Sequence, residues 1–194
     1  MAWIDWLSPE RAANAIRLAW MGLVVFWIWN WRSVKRTERS ESAASRASYS
    51  LIILLGFLAM FRPLGMLGGL LLVRTPELLA AAVAMTWAGI LFAIWARVYL
   101  GSNWSAVVTV KEGHELVRGG PYRVTRHPIY SGLLLAAAGV AVAADRWQAL
   151  IGLGLVLAGF WIKSRKEERW MVERFGAEYQ EYRRRTRALI PGVI

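Results

Sequence analysis

The sequence predicts an all-α integral membrane protein with five transmembrane helices. Its 194 residues are 57% hydrophobic, which is more than a soluble domain of ordinary composition contains. Several apolar runs reach the roughly 20 residues that cross a bilayer as a helix. Polar connectors separate these runs, and the chain ends in a charged segment. We expect one compact membrane domain, with helices 1 to 3 in residues 1–100 and the functional core in residues 101–194.

The distribution of basic residues predicts the orientation in the membrane. Of 24 Lys and Arg residues, five lie in residues 32–48, four in residues 101–128 and nine from residue 163 onward. These segments share one side of a five-helix protein, and positive charge marks the cytoplasmic side. We therefore expect an outside N-terminus and a cytoplasmic C-terminus, in a bacterial inner membrane or, in a eukaryote, the endoplasmic reticulum. The net charge of +11 then indicates orientation and attraction to anionic lipid, not nucleic-acid binding.

Composition also excludes several kinds of site. The chain has no cysteine, which rules out a disulfide framework, a thiol nucleophile and a thiolate metal site. Two histidines without an H-x-x-x-H spacing argue against a metal centre. The first apolar run is too long for the core of a cleavable signal peptide. We expect no metal, and oligomeric state stays open.

The first helix is expected over residues 12–31. It ends in an aromatic belt at headgroup depth, formed by Trp27, Trp29 and Trp31. A Ser- and Arg-rich connector, residues 32–48, is expected on the cytoplasmic surface.

Helix 2 begins near Tyr49, and Arg62-Pro63 interrupts its apolar run. A charge at mid-depth in the membrane indicates function. The interpretation we favour is that the helix ends or kinks at Pro63, which leaves Arg62 at the outer interface.

The C-terminal half contains three further helical segments. Helix 3 is expected over residues 77–100, a polar loop over 101–126, helix 4 over 128–144 and helix 5 over 147–162. Pro128 suits a first helical turn. Helices 4 and 5 are expected to pack closely as a hairpin through Gly132, Ala136, Gly152 and Gly159. A charged amphipathic helix follows from residue 165, and its apolar stripe lies on the membrane or covers the loop: Met171, Phe175, Tyr179 and Tyr182.

Two polar clusters are expected to meet at the cytoplasmic end of this hairpin. The first contains His114, Tyr122, Arg126, His127 and Tyr130, and the second contains Lys163, Glu167 and Glu168. Arginine, histidine and the free amides at the start of helix 4 would face the two carboxylates. Such a site suits a ligand with a carboxylate and hydroxyls or a positive charge, since tyrosine faces and carboxylates attract cations.

Each of these residues also has a simpler interpretation when taken alone. Arg126 and His127, just before a membrane helix, would contact lipid phosphates. Lys163 and Glu167 are four residues apart and would form a weak surface pair. Glu168 alone would be a solvated charge.

Taken together, the motifs resemble the isoprenylcysteine carboxyl methyltransferases, which are related to the phospholipid methyltransferases. The resemblance rests on His114-x-Leu116-Val117, Gly120-x-Tyr122, Arg126-His127-Pro128-x-Tyr130 and Glu167-Glu168, followed by Phe175-Gly176-x-x-Tyr179-x-x-Tyr182. It covers the C-terminal half, from Gly101-Ser102-Asn103-Trp104 to Pro191. The N-terminal half adds membrane helices without a motif.

The resemblance implies an integral membrane enzyme that uses S-adenosyl-L-methionine. The residues implied to enclose this cofactor are His114, Leu116, Val117, Tyr122, His127, Pro128, Tyr130, Glu167 and Glu168. Asn103 and Trp104 would line the acceptor side, and Arg126 would assist catalysis beside the cofactor. Lys163 occupies the position of the family's substrate-binding arginine, which keeps the charge but loses bidentate recognition of a carboxylate.

The implied acceptor is the carboxylate of a lipophilic, prenylated or isoprenoid molecule that enters from the bilayer. A carboxylate is nucleophilic at neutral pH without a base, and a water-poor site favours a reaction in which opposite charges merge. Three alternatives stay open: a phospholipid N-methyltransferase, a sterol-reductase-like enzyme that uses NADPH, and a non-catalytic scaffold that binds lipid headgroups.

Overall fold

The computed structural model describes residues 7–30, 37–62, 74–104, 109–111 and 116–193. These residues form five α-helices: α1 (Pro9–Asn30), α2 (Ala43–Phe61), α3 (Pro76–Leu100), α4 (Pro128–Ala144) and α5 (Trp147–Arg185). Within the described segments, α1, α2, α3 and α5 are long and apolar enough to cross a membrane, and α4 is a shorter apolar helix. The all-helical architecture is therefore confirmed, with four candidate membrane spans among the described residues, while the count of five spans stays a prediction.

The bounds of α3 and α4 agree with the predicted ones to within one residue, whereas α2 begins earlier than predicted. The amide of Ser45 donates to Oγ of Ser42 at 3.2 Å, which caps the helix and moves its start into the predicted connector. At the other end α2 stops at Phe61, and Arg62 is an exposed, extended residue. This agrees with our preferred interpretation of Arg62, while Pro63 lies outside the described residues.

A small antiparallel strand pair joins two segments that the sequence analysis assigned to loops. Strand β1 (Thr37–Ser40) pairs with β2 (Thr109–Lys111). The pair connects the segment before α2 to the loop between α3 and α4. It is a short addition to the all-α fold that was not predicted, because neither segment shows the period-two apolar pattern that predicts a strand.

The small residues of α4 and α5 do not face each other. A Cβ atom added to Gly132 would lie 2.5 Å from the carbonyl oxygen of Gly89 on α3. One added to Gly152 would lie 2.6 Å from the carbonyl oxygen of Gly56 on α2. The prediction that these residues join α4 to α5 is therefore wrong, although the two helices are connected by a tight turn at Asp145. A helix face made of small residues indicates that another helix packs closely against it, but does not indicate which helix.

Helix α5 continues through the segment predicted as a separate C-terminal helix. Only Gly176 has a non-helical conformation, with φ 52° and ψ −124°. Beyond it Tyr179 and Tyr182 are buried, and the Tyr182 hydroxyl donates to the carbonyl oxygen of Tyr122 at 2.6 Å. The apolar stripe was predicted either to lie on the membrane or to cover the loop between α3 and α4. The two tyrosines cover the loop.

Candidate functional site

The backbone at the start of α4 is held by the end of the chain. The amides of Arg126 and His127 donate to the carbonyl oxygens of Arg187 and Ala188, at 2.8 and 3.0 Å. His127 occupies the N-cap position, and Pro128 is the buried first residue of the helix. This pairing positions two predicted site residues with little conformational freedom.

Arg126 and Glu168 form a buried ion pair. The Arg126 Nε atom lies 2.7 Å from Oε1 of Glu168, and the side chains are 9% and 2% exposed. The Arg126 guanidinium also donates to the carbonyl oxygens of Arg183, at 3.3 Å, and Thr186. A charge removed from water to this degree requires a partner, and here the partner comes from a helix 42 residues along the chain.

Further basic groups surround the same carboxylate. Oε2 of Glu168 lies 3.4 Å from Nε of Arg183 and 3.6 Å from a terminal nitrogen of Arg165. With Arg126 and the His127 ring, Glu168 faces four cationic or protonatable groups. It is the electrostatic centre of the site.

The His127 ring lies between the two glutamates. Its Nδ1 atom is 3.2 Å from Oε2 of Glu167, and its Nε2 atom is 3.5 Å from Oε1 of Glu168. Burial lowers the pKa of His127, but hydrogen bonds and charge from Glu167 and Glu168 outweigh this and raise its pKa above the usual 6.5. The imidazolium form is therefore favoured in the folded protein.

An aromatic column continues the site toward the core. The Tyr130 ring stacks on His127 with a centroid distance of 5.5 Å and on Phe160 at 4.8 Å. The Tyr130 hydroxyl donates to Oε1 of Glu167 at 2.6 Å. Nζ of Lys163 lies 5.2 Å from the Tyr130 ring centroid, so a cation already occupies one aromatic face.

Trp104 lies in a second layer of the same end of the bundle. It packs with buried Tyr122 and Ile129, and Val117 borders this cluster. Burial raises the pKa of Tyr122, so its phenol stays neutral. Oδ1 of neighbouring Asn103 is buried without a hydrogen-bond partner among the described residues.

The structure brings most of the predicted residues to this end of the bundle. Those with the contacts given above are Asn103, Trp104, Val117, Tyr122, Arg126, His127, Pro128, Tyr130, Lys163, Glu167 and Glu168. Leu116 is partly buried and precedes Val117. His114 lies outside the described residues.

Sequence reasoning missed residues from the first three helices. The Tyr49 ring lies 5.5 Å from Nζ of Lys163, and its hydroxyl donates to the Glu41 carboxylate. Arg97 is buried, stacks 4.5 Å above Trp104 and donates to the carbonyl oxygen of Asn30 at 3.0 Å. Tyr49 and Glu41 lie near the start of an apolar run in the sequence. This position is only a weak indication of a functional role, since residues at a membrane edge are often of these types.

The donor and acceptor set fits S-adenosylmethionine. Nε2 of His127 and Oε2 of Glu168 are buried and, among the described residues, make only ion-pair contacts of 3.4–3.6 Å without hydrogen bonds of full geometry, which leaves capacity for a ligand. A ligand with hydroxyls, an ammonium and a sulfonium uses carboxylate acceptors and aromatic faces of the kind that Glu167, Glu168 and Tyr130 present. No group of three or more metal-ligating side chains occurs in the described part of the chain.

Comparison with known proteins places this region in a recognised group. The sequence model of the family described as "Phospholipid methyltransferase" matches residues 78–178. A probable protein-S-isoprenylcysteine O-methyltransferase of Oryza sativa subsp. indica is 32% identical over 101 residues, which is 50% of this chain and 53% of the relative. The protein-S-isoprenylcysteine O-methyltransferase of Saccharomyces cerevisiae is 34% identical over 48% of this chain and 40% of the relative.

A relative with a different name matches a similar fraction of this chain. The cobalt-zinc-cadmium resistance protein CzcN of Cupriavidus metallidurans is 32% identical over 47% of this chain and 43% of its own length. The chain spans about half the length, or less, of the curated relatives it matches. The family match over residues 78–178 includes the part of the chain that carries the site.

Proposed function

This chain belongs to the phospholipid methyltransferase family, and from that membership we propose that it is a membrane methyltransferase that uses S-adenosylmethionine. We further propose that the acceptor is the carboxylate of an isoprenylcysteine-like lipophilic molecule, with the site at the cytoplasmic end of the bundle. Relatives named as protein-S-isoprenylcysteine O-methyltransferases support this choice.

The observation that carries the proposal is the buried cluster of Arg126, His127, Tyr130, Glu167 and Glu168. The Arg-His-Pro-x-Tyr motif and the paired glutamates contact each other directly. A surface ion pair would not withdraw the charges of Arg126 and Glu168 from water to this degree, because desolvation costs more than an exposed pair gains. A binding function explains this arrangement better than contact with lipid phosphates.

In the proposed reaction the protein positions and desolvates the reactants. S-adenosylmethionine supplies an electrophilic methyl group when it is bound. Glu167 and Glu168 would hold its polar groups through the lone pairs that their contacts with Arg126, His127 and Tyr130 leave available, and the edge of the Tyr130 ring would border it. Burial of Trp104 and Tyr122 excludes water, which strengthens the attraction between opposite charges.

Lys163 is the proposed partner of the acceptor carboxylate. Its side chain is buried on α5, one turn before Glu167, with its ammonium between the rings of Tyr49 and Tyr130. A carboxylate that approaches this ammonium needs no general base. Tyr49, together with Glu41, then positions Lys163 from the N-terminal half.

A phospholipid N-methyltransferase is the second candidate, and the description of the family favours it. A protonated amine acceptor must first lose a proton to a base. The raised pKa of His127 favours its protonated form, which is no base, and Glu167 and Glu168 already accept from His127, Tyr130 and Arg126. The described residues therefore suit a carboxylate better than an amine.

The deciding experiment supplies purified protein with methyl-labelled S-adenosylmethionine and one of two acceptors. We expect label in N-acetyl-S-farnesylcysteine and not in phosphatidylethanolamine. Glu167→Gln should weaken cofactor binding measured by calorimetry, whereas the exposed control Glu178→Gln should leave it unchanged. Lys163→Arg should lower KM for the prenylcysteine, because a guanidinium binds a carboxylate through two hydrogen bonds.

Each alternative has its own outcome. Label only in phosphatidylethanolamine would identify an N-methyltransferase. Binding of NADPH without S-adenosylmethionine would favour the reductase, and binding of neither would leave a scaffold.

A further inference from the structure

A basic cleft opens on the surface between α5 and the end of the chain. Its volume is about 540 Å³, and its lining includes Arg126, Trp161, Arg183, Arg184, Thr186 and Arg187. It lies beside the candidate site and shares only Arg126 with the residues proposed there. Nothing in the methyl-transfer proposal uses the remaining arginines.

Positive charge in the cleft exceeds the negative charge around it. Arg184 is 74% exposed and lies 3.6 Å from Glu181, which also pairs with Arg185 at 2.8 Å. Arg187 is exposed and makes no ion pair with any residue that the structure describes. Arg183 shares the single buried carboxylate of Glu168 with Arg126. The cleft therefore retains guanidinium groups available to an anion.

The cleft lies where an apolar helix face ends. On α5 the exposed residues 147, 151, 154, 158 and 161 are spaced by three and four, so they form one face. Trp147, Ile151 and Trp161 on this face are 57%, 51% and 38% exposed. The next exposed residue on the same face is Arg165, whose guanidinium stacks 5.5 Å from the Trp161 ring.

This order of residues matches the depth profile of a lipid leaflet. Exposed apolar side chains suit acyl chains, tryptophan is typical of the headgroup level, and arginine beyond it suits phosphate. The guanidinium fork binds phosphate oxygens through two parallel hydrogen bonds. A soluble phosphate would make no use of the apolar face that leads to the cleft.

We propose that the cleft binds the phosphate of an anionic phospholipid headgroup, with an acyl chain along the exposed face of α5. Arg184 and Arg187 are the principal phosphate ligands, and Trp161 packs against the glycerol region. The site is separate from the methyl acceptor site and does not depend on the proposed enzymatic activity.

The first test counts bound phosphatidylglycerol on detergent-solubilised protein by native mass spectrometry. Arg184→Gln/Arg187→Gln should weaken binding about 25-fold, since each basic side chain near an anionic lipid contributes about fivefold. The control Arg123→Gln/Arg169→Gln removes the same charge from exposed residues outside the cleft and should weaken binding less than about threefold, as expected for diffuse attraction. Phosphatidylcholine should bind much more weakly than phosphatidylglycerol to the unaltered protein.

A second measurement locates the lipid. The difference in fluorescence between the unaltered protein and Trp161→Phe isolates the emission of Trp161. Phosphatidylglycerol with brominated acyl chains should quench this emission more than brominated phosphatidylcholine does.

Three results would overturn the proposal. Equal weakening by the two double variants would show a diffuse charge effect. Equal quenching by the two brominated lipids would show no selective site near Trp161. Competition by glycerol phosphate at the concentration of phosphatidylglycerol would identify a site for a free phosphate instead.

Discussion

Glu168→Gln tests whether the buried carboxylate organises the polar end of the bundle. The substitution keeps the size and one acceptor oxygen but removes the charge that faces Arg126 at 2.7 Å and His127 at 3.5 Å. Removal of one partner from a buried ion pair costs about 3–5 kcal/mol. Because Arg165 and Arg183 are 47% and 36% exposed, water compensates for part of their loss, and we expect a cost of about 3 kcal/mol.

Thermal unfolding in detergent measures this cost. For a chain of this length, about 3 kcal/mol corresponds to a decrease in Tm of roughly 6–12 °C. The matched control is Glu181→Gln, whose carboxylate is 44% exposed and pairs with Arg184 and Arg185. An exposed pair contributes less than about 1 kcal/mol, so the control should shift Tm by a few degrees at most.

A double variant checks the assignment of the partner. Arg126→Met/Glu168→Gln should lose less stability than the sum of the two single variants, because the single variants each leave an uncompensated charge. The reasoning is refuted if Glu168→Gln unfolds at the same temperature as Glu181→Gln, or if the two single effects simply add.

Two further predictions concern helix packing and pH. Gly132→Ala should destabilise the protein by about 1–3 kcal/mol, because the added methyl group meets the carbonyl oxygen of Gly89 at 2.5 Å. The control is Gly154→Ala, whose added methyl group meets nothing within 4 Å. Equal Tm values for both variants would contradict the packing of α3 against α4. The raised pKa of His127 means that its stabilising effect is fully present below pH 6.5 and is lost as pH rises through the raised value. The Tm difference between the unaltered protein and His127→Asn should therefore be larger at pH 6 than at pH 9, and a difference that grows with pH would disprove the paired imidazolium.

The positions of the helices could be predicted because they depend on neighbouring residues. The expected helix 3 over 77–100 and helix 4 over 128–144 correspond to α3 and α4. Apolar runs, a proline at a first turn and an exposed arginine beside a proline are all local signals. The start of α2 was missed because a Ser cap within a polar connector resembles an ordinary loop.

The candidate site could be predicted in part. The motif resemblance identified the family, and the contacts of Arg126 and His127 with the two glutamates agree with the expected meeting of the polar clusters. Tyr49 was missed because its partner Lys163 lies more than 100 residues away. No pattern within α2 indicates that α5 will pack against it.

The amino-acid sequence alone was sufficient for the membrane class, the bounds of α3 and α4, the family and part of the polar end of the bundle. Each of these depends on the composition or spacing of residues within one segment. The pairing of α3 with α4 and of α2 with α5, the approach of Tyr49 to Lys163 and the basic cleft beside Trp161 emerged only in the folded molecule. They depend on the fit between surfaces that are distant in the chain, and a small or charged face is compatible with several partners until packing selects one.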